Sequence, residues 1–220
     1  MNRAASLIAA GILAAVAPWG SAAQTAGGAH NGHDHAPVMA SAPVPAVTAG
    51  DRILGDPDAP VTVIEYASFT CGHCADWHEQ VYPAFKERFI DTGQVRFVYR
   101  DLPTAPQNLS QTAALVARCA TAEQFPAVVD ALMSGQEQLY ASRDAAAWLL
   151  GAAQAGDLGP DQLETCLNDP EADAGLVDSV RGAVAAGVTG TPTFFVNGQR
   201  VEGGLDSLEA AIAPLIDQGG

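Results

Sequence analysis

Apolar residues along this chain occur first in a short continuous run and then at helical spacing. The run Val61–Ala67 is rich in β-branched residues, which indicates a central strand buried on both faces of a sheet. The apolar residues that follow recur every four positions, as on the buried face of a helix: Trp77, Val81, Phe85 and Phe89. Pro83 is expected to kink this helix, and a second strand is predicted over 95–100. Strand, helix and strand of these lengths predict a right-handed parallel βαβ unit, with a short edge strand before it at 52–54.

The pattern becomes helical over 105–186. Five alanine-rich segments, separated by proline and glycine, are predicted as helices: 109–120, 122–133, 144–155, Pro160–Leu167 and 171–186. An apolar run returns at Thr193–Val196, and Asn197-Gly198 predicts a tight turn into a strand over 199–202, before a closing helix. The sequence thus predicts an α/β fold with a helical subdomain inserted between its two β-containing halves.

The first 50 residues differ in composition from the rest. A basic start, an apolar stretch and the small residues Ser21-Ala22-Ala23 are typical of a secretory signal peptide, so 1–23 is interpreted as one. An uncleaved membrane anchor is the alternative, but the stretch is shorter than the ~20 strongly apolar residues that a span requires. Residues 24–50, rich in alanine, proline and histidine, are expected to form a disordered linker. Residues 51–220 suffice for one domain.

The formal net charge of the chain is -15 at pH 7, which argues against binding to nucleic acid or to anionic membrane surfaces. Nothing in the sequence requires a cofactor. In the linker, His30, His33 and His35 are close enough to share a copper or zinc ion, which makes a metal-binding protein a weaker alternative function. A solvated linker that happens to contain histidines is the simpler interpretation.

The motif Cys71-Gly72-His73-Cys74 lies where the central strand is followed by the helix. Two cysteines at this spacing can form a disulfide, and a thiolate at a helix N-terminus is stabilised by the helix dipole. Half of a zinc site is the alternative, with His78 as a third ligand, but that set is still incomplete. Export would place the cysteines in an oxidising compartment, so a redox function is the favoured interpretation.

Two segments on either side of the predicted helical insert resemble thioredoxin-fold proteins, and more narrowly the DsbA-like thiol-disulfide oxidoreductases. One is 65–74, which contains the cysteine motif, and the other is 187–194, Gly-Val-Thr-Gly-Thr-Pro-Thr-Phe. The resemblance extends over about 51–220. It implies a thioredoxin fold that is interrupted by a helical domain.

The resemblance and the residue chemistry together assign roles at the motif. Cys71 is expected to exchange with substrate sulfur, and Cys74, one turn further along, to resolve the mixed disulfide. The imidazole of His73 is expected to stabilise the Cys71 thiolate. Glu65 is expected to be buried without a partner and to relay the proton of Cys74, although an exposed position near the strand end is the alternative.

Four residues outside the motif complete the candidate set. Thr191-Pro192 resembles the family's cis-proline loop, which would lie against the cysteine pair and offer the Thr191 backbone to an extended substrate. An ordinary trans proline is the alternative. Cys119 and Cys166 are expected to form a structural disulfide, as in a subset of the family, although two free buried thiols are also compatible with the sequence.

The resemblance implies a periplasmic oxidase that introduces disulfides into unfolded or reduced secreted proteins. In this family a DsbB-like, quinone-linked membrane protein typically reoxidises the enzyme, and a monomer is expected. Gly72 stands where many such oxidases have proline, and a threonine, Thr191, precedes Pro192 as in several isomerases. A disulfide isomerase or reductase of the same fold is therefore the alternative function.

Overall fold

The computed structural model describes residues 46–216, so the predicted signal peptide and most of the predicted linker lie outside the described residues. Within this range the chain forms a five-stranded sheet with the order β1-β3-β2-β4-β5. The strands are β1 (Arg52–Leu54), β2 (Val61–Ala67), β3 (Val95–Asp101), β4 (Thr193–Val196) and β5 (Gln199–Val201). β2 and β3 are parallel and the other neighbours are antiparallel. β2 is therefore the central strand, as its apolar run predicts.

Helices flank this sheet and fill the long connection between β3 and β4. They are α1 (Gly72–Gln80), α2 (Tyr82–Phe85) with a following π-helical turn (Lys86–Ile90), α3 (Gln107–Arg118), α4 (Phe125–Ser134), α5 (Gln136–Ser142), α6 (Ala145–Ala155), α7 (Pro160–Leu167), α8 (Pro170–Ala185) and α9 (Leu205–Ile216). Helices α3 to α8, here called the helical insert, separate the βαβ half from the ββα half of the sheet. This is the α/β architecture with an inserted helical subdomain that the sequence predicts.

Two helical details differ from the prediction. The helix after the cysteine motif is not continuous: α1 ends at Gln80, and Pro83 lies in the first turn of α2. A proline fits there because its missing N–H has no intrahelical partner in a first turn. The second difference is α5, Gln136–Ser142, which the sequence analysis leaves unassigned because Leu139 is its only buried apolar residue.

Both faces of β2 are buried. On one face, residues of β2 and β3 pack with α1, α9 and the helical insert in the larger apolar cluster. On the other face, Ile64 and Tyr66 join Val98, Phe195 and Ala183 in a smaller cluster. Alternation along the strand then places Glu65 on the face that carries the larger cluster, since odd and even positions point to opposite faces.

Buried ion pairs join the sheet to its surroundings. Arg100 on β3 donates to both carboxylate oxygens of Asp51 at 2.8 Å and to the carbonyl of Ala46 at 3.0 Å. Arg118, at the end of α3, donates through Nε to Asp101 at 2.8 Å. The contact to Ala46, together with the packing of Val47 on the smaller cluster, shows that residues 46–50 contact the fold although the sequence analysis assigns them to the linker.

Candidate active site

Cys71 is the N-cap residue of α1, directly after the central strand. Its backbone is extended, and its carbonyl accepts from the N–H of Cys74 at 3.0 Å and of Ala75 at 3.1 Å. The side chain of Cys71 is partly exposed, whereas Cys74 is fully buried one turn later. Both are free thiols. The strand-to-helix junction therefore presents one sulfur to solvent and hides the other.

The two thiols of this pair have opposite pKa shifts. The pKa of Cys71 is lowered from 9.0 to about 6, chiefly by a hydrogen bond from the Cys74 thiol; partial burial opposes the shift, and the Thr191 side chain and the backbone N–H groups of Cys74 and His73 add to it. The pKa of Cys74 is raised far above its usual range, first by burial, then by its bond to Cys71 and by the charge of Glu65. At neutral pH the exposed sulfur is thus the nucleophilic thiolate, and the buried sulfur keeps its proton.

The loop before β4 lies against Cys71. The Thr191–Pro192 peptide bond is cis, and the Cys71 thiol donates to the Thr191 carbonyl at 3.4 Å. The Thr191 hydroxyl oxygen is buried and has no hydrogen-bond partner among the described residues. When Cys71 loses its proton the sulfur becomes an acceptor, and this hydroxyl is then the donor that lowers the pKa of Cys71.

Glu65 is completely buried beneath the pair, with 0% of its surface exposed. The expectation that it lacks a partner is wrong, because its Oε2 atom lies 2.9 Å from Nε2 of His78, which is also buried. The other carboxylate oxygen, Oε1, has no hydrogen-bond partner within the described residues. The sequence does contain a signal for this partner. His78 follows Cys74 by four residues, and residues at this spacing lie on the same face of a helix.

His73 is exposed on the first turn of α1. In the described part of the chain its imidazole forms no hydrogen bond with the Cys71 sulfur. The contribution of His73 to the lowered pKa of Cys71 comes instead from its backbone N–H. The Cys71 thiolate is therefore stabilised by the backbone N–H groups at the helix N-terminus more than by the imidazole of His73.

Two residues of α5, neither of them predicted from the sequence, hydrogen-bond to the backbone of residues 70 and 71. Gln136 donates to the Cys71 carbonyl at 3.3 Å, and the Tyr140 hydroxyl donates to the Thr70 carbonyl at 2.8 Å. Tyr140 remains 49% exposed beside the pair. Local spacing gives no signal for these residues, because only the path of the helical insert over the motif brings them there.

The second cysteine pair lies in the helical insert. Cys119, at the end of α3, and Cys166, on α7, form a disulfide with an S–S distance of 2.05 Å. Gln162 of α7 donates to the Cys119 carbonyl at 3.0 Å and so links the same two helices. Cys119 is buried and Cys166 is half-buried.

Between residues 46 and 216 there is no group of three histidine, cysteine or acidic side chains arranged to hold a metal ion. The weaker candidates His30, His33 and His35 lie outside the described residues. Among the described helices, none combines the length and apolar character needed to cross a bilayer.

Comparison with known proteins gives a consistent result. A family model described as Thioredoxin matches residues 47–213. A protein of Rickettsia bellii that bears the name protein-disulfide oxidoreductase is 31% identical over 175 residues, which is 78% of this chain and 67% of that protein. A similarly named protein of Rickettsia prowazekii is 32% identical over 170 residues, 76% of this chain and 62% of that protein. The chain thus spans roughly two thirds of the length of these curated relatives.

Among solved structures, alpha-DsbA1 of Wolbachia pipientis is similar, with a TM-score of 0.67 and 28% sequence identity. The match covers 78% of this chain and 94% of that one. The similarity therefore includes both the sheet and the helical insert.

Proposed function

Because the chain belongs to the DsbA-like branch of the thioredoxin superfamily, we propose that it introduces disulfides into secreted proteins by dithiol-disulfide exchange through Cys71 and Cys74. The predicted family and thioredoxin fold are confirmed by the matches to the family model and to alpha-DsbA1. The observation that carries the proposed activity is the geometry of the pair: Cys71 is partly exposed at the N-terminus of α1 beside the cis Thr191–Pro192 bond, and Cys74 is buried one turn later.

The exchange has two steps. A substrate thiolate attacks Cys71 of the oxidised pair; the Cys71–Cys74 bond breaks, and its electron pair goes to Cys74, which takes up a proton. A second substrate thiolate then attacks the substrate sulfur of the mixed disulfide and expels Cys71 as a thiolate. The substrate loses two electrons, and the enzyme becomes a dithiol that needs reoxidation.

The lowered pKa of Cys71 favours the oxidase direction. A stabilised thiolate makes the dithiol form more favourable, so the disulfide becomes a stronger oxidant and Cys71 a better leaving group. Glu65 is the proposed proton donor and acceptor for Cys74: it is buried, its partner His78 follows Cys74 by four residues on α1, and its charge helps to raise the pKa of that thiol. No direct hydrogen bond joins Glu65 to the Cys74 sulfur within the described residues, so a water molecule is the natural bridge.

The substrate-binding surface is proposed at the Thr191-Pro192 loop and Tyr140. The loop lies beside the Cys71 sulfur, so an extended substrate segment can pair with the Thr191 backbone while its cysteine meets Cys71. Tyr140 is exposed near the same sulfur, since its hydroxyl donates to the carbonyl of Thr70, the residue before Cys71. The proposed substrates are unfolded or reduced secreted proteins, whose chains are free to extend along this surface.

We place the enzyme in the periplasm as a monomer, with a DsbB-like membrane quinone oxidoreductase as its reoxidant. The proposed location is supported by the signal-peptide pattern over 1–23 and by the oxidising conditions that the disulfide of the helical insert requires. The threonine at Thr191 favours a second candidate, a disulfide isomerase or reductase, because the hydroxyl beside Cys71 is the feature that several isomerases share.

The reduction potential of the pair separates these candidates. The purified protein is equilibrated with mixtures of reduced and oxidised glutathione, and the fraction of free Cys71 and Cys74 is measured. A value near about -120 mV supports the oxidase, a value near about -180 mV the isomerase, and a value near about -270 mV a reductase resembling thioredoxin. The last result would contradict the proposed direction.

A further inference from the structure

His78 connects a buried carboxylate with a surface cavity. Its Nε2 atom is 2.9 Å from Glu65, and only 6% of the residue is exposed. Its ring packs among aromatic side chains, with ring centroids 5.1 Å from Trp77, 5.0 Å from Tyr82 and 6.3 Å from Tyr99. Glu65 has no hydrogen bond to any other side chain of residues 46–216. Among the side chains of this range, His78 is thus the hydrogen-bonded partner of Glu65.

His78 also lines a cavity of about 570 Å³. It lies between α1, α4 and α5, and its walls carry four carboxylates: Asp76, Glu79, Asp130 and Glu137. Acidic walls attract protons and cationic acids. Of the titratable side chains in the described range, His78 alone both hydrogen-bonds to Glu65 and lines this cavity.

A purely structural role explains this arrangement poorly. Two ionisable groups buried side by side lose their hydration, and an apolar pair of the same volume is often equally stable or more so. The site needs a proton route in any case, because Cys74 must gain a proton whenever its bond to Cys71 breaks. Histidine is the side chain best suited to pass protons near neutral pH.

We propose that His78 conducts the proton between Glu65 and the water of the acidic cavity during exchange at Cys74. When the Cys71–Cys74 bond breaks, the buried sulfur receives a proton from Glu65, and the carboxylate recovers it from His78. The imidazole is then reprotonated from the cavity. The inference rests on the proposed function, since it concerns a step of that exchange, and His78 acts on the thiol only through Glu65.

Titratable and charged groups face His78 from the elements packed around it. On its own helix and the adjoining elements these are Cys74, Glu65 of β2, Tyr82 of α2 and Tyr99 of β3. Burial and the charge of Glu65 raise the pKa of both tyrosines, so they stay neutral in the working range and do not compete for the proton. The cavity side adds the four carboxylates named above.

The test compares His78→Gln with a matched control, Tyr82→Phe, which alters the same aromatic cluster without touching the proton route. The full protein in its oxidised form reacts in a single turnover with a dithiol peptide across a range of pH. We expect mixed-disulfide formation to slow by about tenfold or more in His78→Gln and to remain unchanged in Tyr82→Phe. Equal rates and pH profiles in His78→Gln and the wild type would overturn the proposal.

Chemical rescue separates proton transfer from packing. In His78→Ala the cavity gains room for a small azole. Added imidazole should raise the exchange rate of this variant at least fivefold, whereas pyrazole, which has the same shape but is much less basic, should not. Equal rescue by both azoles would mean that His78 only fills space. Failure of the wild type itself to exchange with the peptide would instead contradict the proposed function.

If the His78 variants do not fold, nitrogen NMR of the imidazole in the wild type decides the question. We expect its resonances, and their pH dependence, to differ between the oxidised and reduced protein, because the proton demand at Cys74 differs. Identical His78 resonances in both redox states across the pH range would overturn the proton route.

Discussion

The two cysteine pairs of this protein have the same chemistry available and very different surroundings. Cys71 and Cys74 lie one helical turn apart at the end of the central strand, with one sulfur partly exposed and the other buried. Cys119 and Cys166 are separated by 47 positions and join two helices of the insert. The first pair is placed for exchange, and the second closes a long loop.

The difference between the pairs comes from what surrounds the sulfurs. The pKa of Cys71 is lowered to about 6, chiefly by the hydrogen bond from the Cys74 thiol and further by the Thr191 side chain and the backbone N–H groups at the start of α1. The Cys119 sulfur is instead bonded to Cys166, and the Cys119 carbonyl accepts a hydrogen bond from Gln162 of the same helix pair. Reactivity is therefore a property of the site and not of the cysteine residue.

Removing the nucleophile should have the largest effect on exchange and should separate the two cysteine pairs most clearly. Cys71→Ser is expected to abolish disulfide exchange, a loss of about 10⁴-fold or more, because the alcohol is not ionised at neutral pH. The measurement is oxidation of a reduced peptide. The matched control is the double variant Cys119→Ala with Cys166→Ala, which should keep its exchange rate. Comparable losses in both variants would mean that the pairs do not differ in function.

Removing the buried thiol should leave Cys71 able to form mixed disulfides but unable to resolve them. Cys74→Ser is expected to form mixed disulfides through Cys71 that persist, because the resolving sulfur is absent. The variant is incubated with an excess of a cysteine peptide in its disulfide-linked dimeric form; the Cys71 thiolate attacks one peptide sulfur and the other peptide leaves as a thiolate. Mass spectrometry should then show the peptide adduct at close to one per chain. Rapid release of the peptide without a reductant would count against the resolving role of Cys74.

Removing the second pair tests its effect on stability. Loss of the disulfide between Cys119 and Cys166 should lower the free energy of unfolding by about 3 to 4 kcal/mol, since the unfolded chain regains the freedom of a long loop. Denaturant unfolding of the oxidised proteins measures this difference. An unchanged unfolding midpoint would show that other contacts between α3 and α7, such as the Gln162 bond, hold the helices equally well.

The smallest expected effect is on the pKa of Cys71, when the neighbouring Thr191 hydroxyl is removed. Thr191→Val removes the hydroxyl but keeps the shape of the side chain, so the pKa of Cys71 should rise by less than about one unit, or less than about 1.4 kcal/mol. Thiolate absorbance followed against pH gives this value. A pKa that stays near 6 would assign the whole shift to Cys74 and the helix N-terminus.

The lowered pKa of Cys71 also predicts the direction in which the stability of the reduced protein changes with pH. Because the pKa of Cys71 is lowered in the folded protein from 9.0 to about 6, the thiolate stabilises the reduced fold fully above pH 9.0. This stabilisation declines below that pH and is lost as the pH falls through about 6. Reduced wild type should therefore gain stability over Cys71→Ser as the pH rises between these values.

The sheet and the reactive motif were largely predictable from sequence, because their signals are local. The apolar run of β2, the Asn197-Gly198 turn and the Cys71-Cys74 spacing each involve neighbouring residues. Both turn residues indeed have positive φ, 43° for Asn197 and 84° for Gly198, as a tight hairpin requires.

The missed features depend on tertiary packing. Gln136 and Tyr140 reach the motif only because α5 folds back over it, and a seven-residue polar helix gives little periodic signal. The partner of Glu65 has only an indirect signal in the sequence. The four-residue spacing of Cys74 and His78 places both on one face of α1, but the contact between His78 and Glu65 also depends on how α1 packs against β2. Glu65, expected to be unpaired, is thus one member of a buried pair with His78.

Trp77 gives the protein an optical probe of its own active site. Its indole N–H donates to the Gly203 carbonyl at 2.6 Å, its ring stacks on Phe97, and it follows Cys74 by three residues on α1. An excited indole transfers electrons readily to a nearby disulfide, so emission from Trp77 should brighten on reduction. Trp148 in the helical insert donates to Leu132 and contributes a background that Trp148→Phe removes. Turnover could then be followed in real time by fluorescence, with no dye attached.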